Sequence, residues 1–167
     1  MQTKLRFLLI LCVICGFFTS CAELMQIREG GRGPSSGESS GSTSDAKKKR
    51  NEAVTIAKKY IGTPYRYGGA DPRGFDCSGY VIYVYGQLGV TLPRGTADQY
   101  AKLKTIKNPE PGDLVYFQTY APGASHVGIF TGNNTFLHSP STGKTVEYAD
   151  MKIDYWKKAY LGARRVF

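Results

Sequence analysis

The sequence predicts an α+β domain in which helices come first and an antiparallel sheet follows. Three observations carry this. Residues 53–61 and 77–88 place apolar side chains at helical spacing. From Asp113 onward, short β-branched and aromatic runs alternate with Gly, Pro and Asn turns. The stretch from Asn51 to Phe167, about 117 residues, has the size of one domain.

The chain opens differently. Lys4 and Arg6 accompany an apolar run, Leu5 to Phe18, which reads as an export signal over residues 1–20. The ending Phe18-Thr19-Ser20-Cys21 resembles the bacterial lipobox. That resemblance implies a diacylglyceryl group on Cys21, which would become the mature N-terminus. Residues 21–50 then read as the lipidated Cys and a flexible tether, Gly-, Ser- and charge-rich around Pro34. Of the four cysteines, Cys12 and Cys15 leave with the signal and Cys21 carries lipid. Cys77 is left as the one thiol of the mature chain. A lone thiol kept in an oxidising compartment invites a reactive role.

Net charge is +9, and residues 51–167 carry fourteen basic and nine acidic residues. The charges are scattered. They suit an anionic polymer or a membrane surface, and they do not argue for nucleic acid.

The elements follow in order. Ala53, Ile56, Ala57, Tyr60 and Ile61 form one helical face, with Lys58 and Lys59 opposite, until Gly62 and Pro64 end the run. Tyr65 to Gly69 is an aromatic, glycine-rich loop. From Cys77, Val81, Val84 and Leu88 recur at helical spacing, Asp76 or a neighbour caps the start, and Gly89 offers a left-handed stop. Thr96 and Gln99 have capping-box spacing, predicting a short helix to about Lys104. Pro109 and Pro111-Gly112 break the chain. Strands are expected at Asp113–Phe117, His126–Phe130 and Thr135–His138, the last two joined by a Gly132-Asn133-Asn134 turn. Lys144–Tyr148 and Tyr160–Phe167 supply two more.

Cys77 therefore opens a helix, where the end dipole favours a thiolate. The plain alternative is a buried small hydrophobe. The two histidines of the chain, His126 and His138, fall on one hairpin at roughly opposed positions. An imidazole can accept the proton of a thiol, a second imidazole can orient the first, and helix-start amides can hold an oxyanion. Cys77 with both histidines would also suit zinc, but a fourth protein ligand is not visible; no metal or cofactor is expected.

Six segments then stand in register: Thr63 to Gly69, Asp76 to Gly79, Leu92-Pro93-Arg94, Pro111 to Val115, Ser125 to Ile129 and Leu137-His138-Ser139. With the terminal Gly162 to Val166, they resemble the NlpC/P60 cell-wall peptidases across residues 51–167. The resemblance implies a papain-like fold, with Cys77 as nucleophile, His126 as general base and His138 as orienting partner. Tyr65 matches a tyrosine near the oxyanion or substrate. Asp76 and Ser78 match positions bordering the peptide subsite, although capping and first-turn packing explain them equally well. Arg94 fits a motif position whose role can be structural.

The implied substrate is the peptidoglycan stem peptide, cut at a γ-D-glutamyl–diaminopimelate or D-alanyl–diaminopimelate bond. The chain is similar to short lipoprotein endopeptidases of diderm bacteria, which implies a lipid-anchored monomer on the outer membrane facing the periplasm. Two other readings stand beside this one: a non-catalytic wall-binding lipoprotein, and an acyltransferase using the same thioester chemistry.

Overall fold

The computed structural model describes residues 40–167; the expected signal segment 1–20 and Cys21 lie outside the described residues. The first helix, α1, spans Ser40–Lys58. Its first part corrects the expected tether, because residues 40–50 are helical. Ala46, Lys47 to Arg50 and Glu52 are good helix formers, and the domain holds them down. Arg50 is buried, donating from Nη2 to Glu110 Oε2 at 2.5 Å and from Nη1 to the Phe167 carbonyl at 3.4 Å. The helix stops at Lys58, which leaves Ile61 exposed instead of on the packing face.

A two-residue hairpin follows, β1 (Ala70–Asp71) with β2 (Gly74–Phe75), and then α2 (Cys77–Gly86). Gly89 adopts φ 76° just past α2, as a left-handed stop requires. The next helix, α3 (Thr96–Lys102), departs from the expected capping box. Gly95 takes the N-cap position without a side-chain bond. Gln99 instead turns inward, donating to the Pro93 carbonyl at 2.8 Å.

The remaining strands are β3 (Lys104–Ile106), β4 (Leu114–Phe117), β5 (His126–Gly132), β6 (Thr135–His138), β7 (Glu147–Asp150) and β8 (Tyr160–Arg165), with α4 (Asp154–Ala159) before the last. These six strands form one antiparallel sheet in the order β3-β8-β4-β5-β6-β7. The β5–β6 turn has Asn133 and Asn134 at φ 51° and 59°, the primed geometry that matches strand twist. The expected strand at 144–148 begins later, at Glu147. Lys144 to Val146 instead pair with the loop after α1: Tyr65 N–H donates to Lys144 O, and Val146 N–H to Thr63 O, both at 2.8 Å.

Strand alternation divides the core. Leu114, Tyr116, Val127, Ile129 and Leu137 face α1 and α2, meeting Ala53, Ile56, Ala57, Val81 and Val84. Val115, Phe117, Phe130, Phe136 and Ala163 face the other way, under Trp156 of α4. Each fully buried aliphatic or aromatic side chain contributes roughly 1.5–3 kcal/mol by leaving water. The helical layer is thereby locked to β5, and the first turn of α2 is brought to the start of that strand.

Asp113 is completely buried before β4, and Arg165 of β8 grips both its oxygens, from Nε at 2.9 Å and Nη2 at 2.7 Å. Removing the cation leaves an uncompensated buried carboxylate. Arg165→Met should lower unfolding stability by about 3 kcal/mol, read from the midpoint of urea denaturation. An unchanged midpoint would show that the pair is dispensable.

Candidate active site

The first turn of α2 is built by Asp76. Its backbone is extended, and its Oδ1 accepts the Gly79 N–H at 2.7 Å, as an N-cap should. The same carboxylate accepts Gly68 N–H at 3.1 Å, tying the aromatic loop to the helix. Arg94 closes the arrangement, donating to Asp76 Oδ2 at 2.5 Å and to Ser78 Oγ at 2.8 Å. Asp76 and Ser78 are thus engaged in capping and an ion pair, with Arg94 as their cross-link. The loop sits tightly because Gly79 carries no Cβ; one there would collide with the Gly69 carbonyl.

Cys77 is the free cysteine among the described residues and is buried, 7% exposed. Its Sγ lies 3.8 Å from Thr96 Oγ1. The backbone N–H groups of Ser78 and Val127 also point to the sulfur. Burial pushes the thiol pKa up, while Thr96 and the two amides pull it back. Tyr65 is half-buried, within electrostatic reach of Cys77 and Asp76, and burial with those neighbours raises its phenol pKa.

The two histidines meet directly. His126 Nε2 and His138 Nδ1 are 2.8 Å apart, with the rings nearly perpendicular. The ladder pairs Ile129 with Leu137, so the contact runs diagonally and not between residues squarely opposite. Both rings lie under Trp156, at 5.5 and 5.1 Å between centroids. Burial lowers the His126 pKa to about 4. It also lowers that of His138, with the charges of His126 and Lys144 adding to the effect.

The structure therefore brings Cys77, Tyr65, Asp76 and Ser78 together at the start of α2 and joins His126 to His138. Cys77 and His126 are neighbours through the Val127 amide, while the thiol's side-chain hydrogen bond goes to Thr96. Thr96 escaped sequence reasoning because its hydroxyl was assigned to a helix cap. Tyr120 and Trp156 escaped as well; Trp156 is the one tryptophan of the chain, the only signal that marked it. Among the described residues there is no group of three or more His, Cys, Asp or Glu side chains placed to hold a metal ion.

The lowered His126 pKa links protons to folding. The unfolded chain, with an ordinary imidazole near 6.5, takes up its proton first as pH falls. Stability is therefore lost progressively from pH 6.5 towards 4. The loss from this group is on the order of 3 kcal/mol. Urea denaturation at several pH values should show this slope and its flattening in His126→Gln; equal slopes would contradict the assignment.

Residues 62–165 match the NlpC/P60 family. Among curated relatives, the probable peptidoglycan endopeptidase LytE of Bacillus subtilis is 43% identical over 115 residues, covering 69% of this chain and 34% of its own. The murein DD-endopeptidase MepH of Escherichia coli is 42% identical over 142 residues, covering 76% of this chain and 51% of its own. The chain thus spans about half or less of the length of these relatives. A solved structure from Staphylococcus aureus, described as similar to a lipoprotein of the NLP/P60 family, superposes with a TM-score of 0.65 at 36% identity. It covers 72% of this chain and 42% of that one. A thiol at a helix start beside a histidine pair, on the sheet order described above, thus coincides with a family match over most of the domain, and the chain belongs to the NlpC/P60 family.

Proposed function

We propose that the chain is a peptidoglycan endopeptidase that hydrolyses stem-peptide amide bonds through Cys77, His126 and His138. The observation that carries this is a thiol at the start of α2, met by two backbone amides, beside a hydrogen-bonded histidine pair. The names of LytE and MepH support the substrate class.

The chemistry runs in two halves. His126 Nδ1 accepts the Cys77 proton, and the sulfur attacks the scissile carbonyl carbon. The oxygen becomes an oxyanion facing the backbone N–H groups of Cys77 and Ser78 at the start of α2, near the Tyr65 phenol. As the C–N bond breaks, the proton on His126 passes to the leaving amine, and the acyl group remains as a thioester. Water, deprotonated by His126, then attacks that carbonyl and releases the acid and the thiol. His138 stabilises the transient His126 imidazolium and fixes its ring. Burial keeps thiol and imidazole neutral at rest, so charge develops only as the reaction begins.

The bond cut is a γ-D-glutamyl–diaminopimelate or D-alanyl–diaminopimelate amide, consistent with relatives named as a γ-DL-glutamyl hydrolase and a DD-endopeptidase. Lipidation at Cys21 would hold the domain in the cell envelope, on the outer membrane facing the periplasm; the lipobox-like residues support this part of the reading.

Purified muropeptides incubated with the full chain should yield new fragments by mass spectrometry, and Cys77→Ala should yield none while remaining folded. Fragment masses name the bond. Fragments from Cys77→Ala would overturn the nucleophile assignment. His126→Gln should reduce kcat by roughly 10²-fold or more. His138→Gln should cost less, because an amide oxygen can still accept the His126 Nε2 proton. Equal or reversed losses would exchange or remove those two roles.

A further inference from the structure

Arg50, Ala53, Val54, Ile56 and Ala57 turn the inner side of α1 to the core. Its outer side, at three- and four-residue spacing, carries exposed Lys47, Lys48, Asn51, Thr55 and Lys58. Exposed Lys59 follows in the closing turn, its N–H on the Ile56 carbonyl at 3.0 Å. Glu52 is the one acid from Lys47 to Lys59, and no ion pair among the described residues holds any of these four lysines. We propose that this basic face rests on an anionic lipid bilayer and so orients the domain on its membrane. The proposal rests on the lipid-anchored reading of Cys21 given above.

Connectivity and charge together select the occupant. Ser40, the first residue of α1, stands nineteen positions after Cys21. Even fully extended, that length spans at most about 65 Å. A bilayer that holds Cys21 is therefore kept within reach of the lysines, and each contact with it is intramolecular. The outer face offers no large apolar side chain for insertion, and no helix among the described residues is long and apolar enough to cross a membrane. The attraction is thus of ammonium groups to lipid phosphates, worth up to roughly fivefold in affinity per lysine and weakened by salt.

The fold gives this contact a consequence. The inner side of α1 packs on the sheet face that carries Tyr116, Val127 and Ile129. Trp156 of α4 covers the opposite face and lies over both histidines. A bilayer against the outer side of α1 leaves the Trp156 side, with the histidine pair beneath it, turned away from the membrane. The lipid holds the chain, and the lysines set which side of the sheet looks outward.

The full chain carrying Cys21→Ala, which cannot be lipidated there, is sedimented with two kinds of vesicle: phosphatidylcholine alone, and an equal mixture with phosphatidylglycerol. The apolar segment 5–18 meets both, so the ratio of the two affinities reads charge. A preference of about 10²-fold for the anionic vesicles is expected at low salt, lost in about 0.5 M NaCl. Adding Lys47→Gln, Lys48→Gln, Lys58→Gln and Lys59→Gln should reduce that preference at least about tenfold with the urea midpoint unchanged. Replacing Lys102, Lys152, Lys157 and Lys158 by Gln instead should change it less than about twofold. No anionic preference, a preference that survives the α1 substitutions, or equal loss in the second set would overturn the proposal. Capture by purified peptidoglycan that needs the α1 lysines, without a vesicle preference, would assign the face to a wall polymer and overturn it as well. Mass spectrometry of wild-type chain recovered from bacterial membranes separates the two ideas. An unmodified Cys21 with the anionic preference intact overturns the lipid anchor alone; a lipidated Cys21 without the preference overturns the basic face alone.

Discussion

The hydrogen bond between His126 Nε2 and His138 Nδ1 is the contact on which the site depends. Two buried imidazoles at 2.8 Å cannot both present protons to each other, and burial opposes charging either one. One nitrogen must donate and the other accept. In the proposed mechanism a base that takes a proton on Nδ1 carries its resting proton on Nε2, so His126 would donate and His138 accept. His138 would then hold its own proton on the far nitrogen, Nε2, which has no hydrogen-bond partner among the described residues. Gly128 allows the strands to close over this pair, since a Cβ there would strike the Phe136 ring.

The thiol side obeys an opposing balance. Burial among apolar side chains penalises a thiolate, yet the helix start, the Val127 amide and Thr96 all favour it. The result is a thiol held neutral at rest, as the proposed nucleophile role requires. Asp76 and Arg94 fix where the sulfur stands, because the cap, the aromatic loop and α3's approach all converge on one carboxylate. The Asp76–Arg94 pair is thus structural first.

The helix beginning at Cys77 was legible because cap, apolar spacing and Gly89 agree, each local signal supporting the same element. The His126–His138 hairpin was legible for a similar reason: Asn133 and Asn134 encode a turn that sets the strands. What escaped depends on distant partners. Thr96 and Gln99 carry capping-box spacing, but the buried cleft offers Gln99 the Pro93 carbonyl and Thr96 the thiol. Lys144 to Val146 have strand character, yet pair with residues 62–65 before joining β6. The early start of α1 rests on Arg50 finding Glu110 and Phe167, contacts more than fifty residues away in sequence. Trp156 covers the histidines from a short helix with no strong pattern of its own.

Nitrogen-15 NMR of the imidazoles tests the central claim most directly, since the chain has two histidines and four ring nitrogens. At neutral pH both rings should carry their proton on Nε2, with His126 Nδ1 and His138 Nδ1 unprotonated and the His126 Nε2 proton shifted by its hydrogen bond. A proton found on His126 Nδ1 in the resting protein would leave no base facing the thiol and would contradict the account.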